Sequence, residues 1–410
     1  LIQGDMTGGI EFGANQEPID ITLGDARNSL DQIVPSSVTS KDGFPYLPDD
    51  QVGKRFPLAM TPVRYIPTIK LSGDNYGPTY LIVGGTQHNI QNIFMNGTEI
   101  PAVTTFGGGG FVSIAINWTQ VSGQDELGNV WTGVEFVTQN TPAYKDASVY
   151  AGVIPKSGSG LTVMEIIEGL ITDNTGLGTD GYDYVLHSRA VMRAGSALTA
   201  EVLINGSGEG NLATAFSYVE GAICKEFPML KAVYTGRGYG IVYTDRSNRT
   251  NRLSLVRGQG LLLDRMGSIK ETSTEDIFNS FTLRYNYNAM GDTYGSIITR
   301  NSDNSNLCRL SESRIGRREM SQMDCILITN DASADIVIEW FVNHYTLPSY
   351  EATYCATPKL FFLCQIGDNI ELTDDRLGFN KTPATILSLE LTAGKCEVRF
   401  QIWLQYQNII

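Results

Sequence analysis

The sequence predicts a mainly β protein with some α+β elements, divided into several domains. In residues 281–287 every second side chain is apolar and the others are polar, which is typical of a strand with one buried face and one hydrated face. The 43 glycines and the 10% of aromatic residues favour strands and tight turns over helix bundles. At 410 residues the chain exceeds what one hydrophobic core usually holds.

We expect four segments along the chain. Residues 1–55 are rich in Gly, Asp, Asn and Pro and predict an extended arm with short strands. Residues 56–150 carry several strand patterns and predict a β domain, whereas 151–268 mix helix and strand patterns and predict a smaller α+β domain. Residues 269–410 predict a barrel or sandwich of antiparallel strands with one helix packed on its outside.

The β domain is predicted from five strand-like runs and a turn. Asn96-Gly97 is a strong hairpin signal, because such turns need residues that tolerate positive φ, and a strand at 99–103 should follow it. The four glycines of 107–110 predict a loop tip or a hinge. The runs cover 64–71, 79–83, 90–95, 111–116 and 130–137.

The middle of the chain alternates between helix and strand periods. Residues 161–172 place apolar side chains on one helical face. A second helix is predicted at 211–226, ending before Pro228. The apolar face of the first helix consists of Val163, Ile166, Ile167, Leu170 and Ile171. The strands predicted around the second helix are 199–204, 230–235 and 239–244.

The last third of the chain ends in a predicted hairpin around residues 393–396. Its first strand places Leu387, Leu389 and Leu391 on an apolar face. Its second strand does the same with Val398, Phe400, Ile402 and Leu404. The elements predicted before it are the strand at 281–287, a loop at 301–306, a helix at 334–345 capped by Asp331 or Ser333, a strand-like run at 350–364, a Gly367-Asp368 turn and a strand at 370–373.

The formal charge of −14 argues against binding nucleic acid through phosphate neutralisation, which needs clustered Lys and Arg. It does not argue against DNA that slides past the protein. Two local groups of arginines predict solvated strand faces or contacts with an acidic neighbouring subunit. They are Arg246, Arg249, Arg252 and Arg257, and Arg309, Arg314, Arg317 and Arg318.

The sequence contains no convincing catalytic, cofactor-binding or metal-binding set, so we expect no enzyme activity. Gly176, Gly178 and Gly181 spell a dinucleotide-type motif, but they follow a predicted helix, whereas the true motif follows a strand. The glycines of 206–210 lie before a helix that could hold a phosphate, but no P-loop lysine follows, and a plain connecting loop is the simpler interpretation. The remaining candidates are interpreted as packing or turn residues: His88, His187, His344, Asp374 and Asp375.

The six cysteines show neither a C-x-x-C pair nor zinc-ligand spacing, so we predict reduced structural thiols and assembly in a cytosol. No stretch approaches the ~20 apolar residues that a membrane helix needs. The cysteines are Cys224, Cys308, Cys325, Cys355, Cys364 and Cys396.

Several short segments of the sequence are each of low specificity, but the order in which they occur along the chain indicates a resemblance to a known family. They are 53–58 and the strand after Pro62, the helix at 211–226, the Gly236-Arg237-Gly238 hairpin, residues 278–285, the helix at 334–345 and residues 365–374. In this order they resemble the baseplate or tail-tip hub proteins of tailed bacteriophages, mainly over the second half of the chain.

The resemblance implies a ring, usually of three copies, in which tube-like antiparallel β-barrel domains join around a channel. It implies a virion protein of the phage tail, assembled in the host cytoplasm, that connects the tail tube, distal tail and tape measure proteins to a central spike or fibre. DNA passes through such a channel without specific binding, and an acidic protein suits its lining. The chain stops soon after Trp403, so we expect no cell-wall-cleaving domain in it.

Two other classes of function stay open at this point. A receptor-binding or carbohydrate-binding β protein of a virion or cell surface needs exposed aromatic side chains that form a platform, although such residues also pack in cores. A hydrolase needs two carboxylates roughly 5–10 Å apart in a cleft. The candidates for an aromatic platform are Trp118, Trp131, Tyr144 and Tyr150.

Overall fold

The computed structural model describes residues 33–72, 79–85, 88–100, 117–137, 148–155, 161–174, 177, 179–204, 214–235, 238–245, 253–392 and 395–403. Within these residues the protein is mainly β, with six sheets and a smaller helical content. The predicted class, a mainly β multidomain fold with α+β elements, is confirmed.

The strands are β1 (Leu58–Ala59), β2 (Val63–Pro67), β3 (Ile69–Ser72), β4 (Thr79–Gly84), β5 (His88–Met95), β6 (Thr98–Ile100), β7 (Asn117–Gln124), β8 (Val130–Val137), β9 (Val149–Pro155), β10 (Leu203–Ile204), β11 (Leu230–Thr235), β12 (Gly238–Tyr243), β13 (Leu253–Val256), β14 (Leu262–Glu271), β15 (Phe281–Asn288), β16 (Thr293–Arg300), β17 (Met323–Asp324), β18 (Ser349–Ala356), β19 (Asn369–Asp374), β20 (Phe379–Thr392) and β21 (Lys395–Trp403). The helices are α1 (Val163–Asn174), α2 (Tyr184–Ala194), α3 (Ala215–Tyr218), α4 (Cys224–Glu226), α5 (Asn306–Ile315), α6 (Asp331–Tyr345) and α7 (Pro358–Leu363).

Two four-stranded antiparallel sheets form a sandwich before α1. The first has the order β2-β9-β5-β6 and the second the order β3-β4-β8-β7. Apolar side chains from both sheets share one core. Its fully buried members include Ile66, Ile82, Val83, Ile93, Phe136 and Ala151.

The single strand predicted at 64–71 is wrong: this run forms β2 and β3, which belong to different sheets. Pro67 has no backbone N–H for a ladder. The chain turns the corner of the sandwich at Thr68, whose N and Oγ1 donate to the carbonyl oxygen of Val149 at 3.1 and 3.0 Å. The alternation of apolar and polar residues continues across Thr68, so this two-residue period does not show where one strand ends and the next begins.

The Asn96-Gly97 turn is confirmed, since both residues have positive φ, 50° and 82°, and they join β5 to β6. The strand predicted at 130–137 is confirmed as β8. Its partner β7 was not predicted. The predicted strand at 111–116, the glycines of 107–110 and residues 101–103 lie outside the described residues.

The helix predicted at 161–172 is confirmed as α1, and its five predicted apolar side chains are fully buried. The second predicted helix is described from Thr214, whose Oγ1 accepts from the N–H of Ser217 at 3.0 Å. It consists of α3, a π turn at Val219–Ile223 and α4. The hairpin after it is confirmed as β11 and β12, whereas only β10 forms within the strand predicted at 199–204.

A three-stranded sheet with the order β16-β15-β17 packs against α6. Phe281, Leu283 and Tyr285 on β15 are buried, as the alternation predicts. They belong to the same apolar core as the buried face of α1. The boundaries placed at residues 55, 150 and 268 stay predictions.

Helix α6 begins at Asp331, and its N-cap is Asn330, so the predicted caps Asp331 and Ser333 are wrong. The Asn330 side chain accepts from the N–H of Ser333 at 2.8 Å and donates to Thr199 Oγ1 at 2.7 Å. Ser333 Oγ instead donates to the carbonyl oxygens of Ala197 and Thr199.

Replacing Asn330 by alanine should lower the free energy of unfolding by about 1 kcal/mol, because the first turn of α6 loses a side-chain acceptor. Urea titration at constant pH measures the change. Glycine at the same position should cost only a few tenths of a kcal/mol. Equal losses for the two variants would contradict the assignment of Asn330 as the cap.

The six-stranded sheet has the order β13-β19-β20-β21-β18-β14, with β13 and β19 parallel and all other pairs antiparallel. In a flat sheet of this size the edge strands lie about 24 Å apart. Here only residues 257–261 link the two edges, and isolated bridges join Arg257 and Gln259 to Leu262. The sheet is therefore curled into a barrel. Its core contains Tyr354, Leu372, Ile386, Val398, Phe400 and Ile402.

One prediction within this barrel is wrong. The strand-like run at 350–364 ends at Ala356, because Thr357-Pro358 begins α7, with proline in the first turn where its missing N–H is tolerated. Leu389, on the predicted apolar face of β20, packs against the core opposite the buried Val398, while Leu391 is 41% exposed near the end of the strand. Ile386, one residue before the predicted face begins, is fully buried. A register shift between Ile386 and Ser388 reverses the faces of β20 there.

Candidate assembly surface

The barrel presents a polar outer face on β18, β20 and β21. Side chains of these strands line a shallow recess of about 260 Å³. Glu390 and Glu397 lie directly opposite each other across the ladder, a like-charge arrangement that the neighbouring Arg399 offsets. The lining residues are Thr353, Ser388, Glu390, Glu397 and Arg399.

The hairpin of β11 and β12 brings Lys231 close to this polar face. The pKa of Lys231 is lowered, chiefly by desolvation and then by the charge of Arg399, while Glu351 acts in the opposite direction. The face therefore combines acidic and basic groups and is polar.

Strand β14 forms one edge of the barrel sheet. It pairs with β18 on one side. On its other side the Leu263 carbonyl oxygen accepts from the Gly258 N–H at 2.8 Å, and in the described part of the chain no strand pairs with this side beyond Leu263. Leu263 and Met266 on this strand are 45% and 40% exposed. A ten-residue edge with exposed apolar side chains is a template for a strand of another chain.

Two features interrupt this edge. Gly267 has φ 71°, and the register with β18 shifts between Met266 and Lys270, which marks a bulge. Bulges and lysines on edge strands limit indiscriminate pairing. The edge is thus selective for a matching strand and not open along its whole length.

A buried ion pair fixes the corner where β13 meets β14. Arg257 Nε lies 2.9 Å from Asp374 Oδ1, and Arg257 Nη1 lies 2.9 Å from Asp264 Oδ1. Asp374 is 1% exposed and also accepts from the hydroxyl of Tyr354 at 3.0 Å. Burial, followed by this hydrogen bond, raises the pKa of the Tyr354 hydroxyl. The network holds β13, β14, β18 and β19 together.

Several of the arginines in the two groups found in the sequence have local contacts in the described part of the chain. Arg257 belongs to the ion pair above, and the three arginines before it lie outside the described residues. In the second group, Arg317 pairs with Glu319 at 2.7 Å, and Arg318 donates to the Thr274 carbonyl oxygen at 2.6 Å. Local contacts account for these side chains.

The candidate polar residues for chemistry are separated in space. Of the Asp374-Asp375 pair, Asp374 is the buried member and Asp375 is exposed. His88 lies beside the Ala59 carbonyl oxygen, at 3.1 Å, and His344 stacks on Trp340 with ring centroids 3.9 Å apart. Across the described ranges, no three His, Cys, Asp or Glu side chains come together in a way that could hold a metal.

His187 lies between α1 and α2 in a buried polar cluster. Its Nδ1 is 2.9 Å from the Tyr182 hydroxyl and its Nε2 is 3.2 Å from Glu168 Oε2. Burial lowers the pKa of His187, while Glu168 and Glu165 act in the opposite direction. The cluster ties the two helices together.

The glycine motifs are only partly described. Helix α1 ends at Asn174, so the glycines of 176–181 follow a helix, as predicted. Gly181 is in close contact with Leu177. Gly176, Gly178 and the glycines of 206–210 lie outside the described residues.

The three described residues among the platform candidates do not form one surface. Trp118 is buried and donates from Nε1 to the Ile100 carbonyl oxygen at 2.9 Å. Trp131 is half-buried and packs against Phe44. Tyr150 is half-buried on β9, and Tyr144 lies outside the described residues.

All six cysteines are free thiols, and four of them are buried. Burial raises the pKa of the Cys224 and Cys325 thiols to about 12, so these groups stay protonated near neutral pH. Among the described residues, no helix is both long enough and apolar enough to cross a membrane.

Glu226, at the end of α4, holds the segment before α6. Its carboxylate accepts from the N–H groups of Ile326 and Leu327 at 2.9 and 2.8 Å. Desolvation nevertheless raises the pKa of Glu226 to about 7, and these hydrogen bonds only partly oppose it.

A glutamate with a raised pKa stabilises the fold most at low pH and loses that contribution as pH rises through its folded pKa. Between pH 4.5 and 7 the wild type should therefore lose roughly 2–3 kcal/mol through Glu226. In Glu226→Gln this part of the pH dependence should vanish, which urea titrations at pH 5 and pH 8 measure. Glu319→Gln, at an exposed position, is the control. If the free energy of unfolding of Glu226→Gln changes with pH in parallel with that of the wild type, Glu226 is not the source of this pH dependence.

No family model matches the sequence, and no curated protein sequence matches it. Among solved structures the chain is similar to the prophage tail protein gp18 from Listeria monocytogenes, at 11% identity and a TM-score of 0.37, over 82% of this chain and 87% of that chain. It is also similar to a chain of the phage P2 baseplate in its activated conformation with Ca, at 11% identity and a TM-score of 0.22, over 90% of this chain and 96% of that chain. At these identities and TM-scores the likenesses carry no argument about function.

The edge strand β14 and the ion pair between Arg257 and Asp374 were not predicted from the sequence. Two signals for them exist in the sequence, the Leu261-Leu262-Leu263 run and the glycines at 258 and 260. Gly258 and Gly260 both have positive φ, 73° and 60°, in the turn between β13 and β14.

Proposed function

We propose that this protein is a structural hub of a bacteriophage tail tip or baseplate, with no enzymatic chemistry of its own. Three copies form a ring around the DNA channel, in which β14 of one copy pairs with a neighbouring copy. The ring connects the tail tube, distal tail and tape measure proteins to a central spike or fibre. It belongs to the virion, after assembly in the host cytoplasm.

The observation that carries this proposal is the free edge of β14 beside a polar sheet face. An edge with exposed Leu263 and Met266 gains stability from a neighbouring strand. The adjacent face, with Glu390 opposite Glu397, is hydrated and suits a water-filled channel. Its carboxylates, together with the net charge of −14, disfavour sticking of DNA. The order of sequence pieces that resembles phage hub proteins supports the same role.

Electron cryo-microscopy of the purified full chain tests the arrangement. The expected particle is a three-fold ring with a central opening, with β14 at the contacts between copies and Glu390, Glu397 and Arg399 facing the opening. A particle without any opening, or a ring whose contacts leave β14 exposed, would refute the proposed arrangement.

A further inference from the structure

The outer face of the sandwich contains a second recess that the assembly role does not use. It has a volume of about 410 Å³ and lies on β2, β9 and β5, far in sequence from the barrel edge. This volume falls in the range of ~300–1,000 Å³ that is common for small-ligand sites. Its lining residues are Pro62, Val63, Arg64, Tyr65, Gln91, Asn92, Phe94, Gly152, Val153 and Ile154.

Two bulges create this recess. On one side of β9, the register of β2 shifts between Val63 and Ile66, and on the other side that of β5 shifts between Ile90 and Asn92. Both irregularities flank Gly152. Paired bulges around one residue bend both neighbouring strands and re-aim their side chains, which opens a hollow in a sheet face that is otherwise flat.

Gly152 keeps the floor of the hollow open. A Cβ at this position would lie 3.2 Å from the Arg64 carbonyl oxygen and 3.6 Å from Asn92 Oδ1. Any larger side chain here would occupy the space above the floor. The Asn92 amide oxygen therefore lies over the floor, where it can accept a hydrogen bond from a ligand.

One wall of the recess is aromatic. The rings of Tyr65 and Phe94 lie with centroids 5.4 Å apart and a tilt of 58°, and both side chains are half-buried. Tyr150 lies directly across the ladder from Phe94. Aromatic rings of this kind offer an apolar surface for the C–H face of a flat ligand.

The other wall consists of amides. Asn92 Nδ2 donates to Glu99 Oε1 at 2.6 Å, which orients the amide and leaves its oxygen toward the floor. Gln91 sits at the bulge with an exposed side chain. Amide groups provide both donors and acceptors for hydroxyl groups.

The cation near the recess is already engaged. Arg64 Nε pairs with Glu201 Oε2 at 2.9 Å, and its guanidinium also donates to Asn286 and to the Tyr287 carbonyl oxygen. The described lining therefore offers no free cation to attract an anionic ligand, and the carboxylate beside it, Glu99, accepts from the Asn92 amide. Aromatic and amide walls without a free cation match a neutral molecule that is rich in hydroxyl groups and has an apolar face.

From this arrangement we infer that the hollow over Gly152 is a binding site for a neutral saccharide, with Tyr65 and Phe94 stacking on a sugar ring and Gln91 and Asn92 contacting its hydroxyls. This function is separate from ring assembly, because the hollow lies on the sandwich and not on the barrel. Loss of saccharide binding and loss of oligomerisation are therefore distinguishable.

Saturation-transfer difference NMR on the full chain, with the neutral trisaccharides of glucose and of N-acetylglucosamine as probes, tests the site. At least one probe should bind, and Gln91→Ala and Phe94→Leu should each weaken binding at least tenfold. Asn89→Ala is the matched control, because Asn89 is exposed on β5 outside the recess, and it should bind like the wild type.

Circular dichroism melts identify any variant that has lost its fold. Because the Gln91 side chain is exposed, we expect Gln91→Ala to stay folded, so its binding result decides the test even if Phe94→Leu unfolds. Three outcomes would overturn the inference: no signal from either neutral probe at millimolar concentration, equal binding by Gln91→Ala and the wild type, or binding of only an anionic sugar such as sialyllactose.

Discussion

Replacing Asp374 by alanine is expected to destabilise the barrel by about 3 kcal/mol, because the half-buried Arg257 and the buried hydroxyl of Tyr354 both lose a charged, buried hydrogen-bond acceptor. Arg257 would keep only Asp264, which is exposed, and the buried hydroxyl of Tyr354 would lose its acceptor. No other substitution of a charged residue considered above should cost the fold as much.

Urea unfolding followed by tryptophan fluorescence measures this effect, and Trp403 is the one of the four tryptophans that lies in the barrel sheet. Trp403 is 2% exposed on β21 and donates to Thr385 Oγ1 at 2.9 Å, so it reports on the barrel. Asp375→Ala is the matched control at the next position, which is exposed, and should change the unfolding free energy by less than about 0.5 kcal/mol. Similar losses for the two variants would show that the ion pair does not hold the corner.

Lysine at both Leu263 and Met266 is expected to convert the proposed trimer to monomers at micromolar concentration. Each apolar side chain contributes roughly 1.5–3 kcal/mol when a neighbouring strand buries it, and the added lysines repel a matching edge. Association should therefore weaken by at least about 100-fold. Sedimentation velocity over a concentration series measures the change.

The control for this double variant is Ile297→Lys on β16. Ile297 is 64% exposed, more than either edge residue, but it lies on the three-stranded sheet. If the effect comes from general loss of apolar surface, this control should also dissociate the oligomer. If the effect comes from the β14 edge, the control should assemble like the wild type. If the double variant still forms an intact oligomer, the β14 edge is not the contact between copies.

The sequence predicted those elements whose burial follows a regular period. Helix α1 and strand β15 are examples, since each buries one complete face of its pattern. Helix α2 was missed because its buried face consists of Leu186, His187, Ala190 and Ala194, which is a weak apolar signal. Its Asp183 cap, which accepts from two N–H groups at 3.1 and 3.2 Å, is the signal that could have revealed it.

Irregular strands explain most of the other differences. The bulge near Gly267 breaks the period of β14, and the shift between Ile386 and Ser388 exchanges the faces of β20. Such shifts arise from pairing with strands that are distant in the sequence, so the local pattern contains no trace of them.

The sites depended even more on non-local pairing. Arg257 meets Asp374 because β13 lies parallel to β19, and no short-range pattern encodes that neighbour. The recess over Gly152 needs bulges on two separate partners of β9. Of the aromatic candidates taken from the sequence, Trp118 is buried in the core, whereas Tyr65 and Phe94, which form a wall of the recess, were not among the candidates.

The central claim is that copies of this chain assemble through the free edge of β14. Native mass spectrometry of the full chain, whose monomer mass is 44.9 kDa, measures the stoichiometry directly. The account predicts a species of three times that mass, which persists on dilution and disappears in the Leu263→Lys, Met266→Lys double variant. A stable monomer at all concentrations would contradict it.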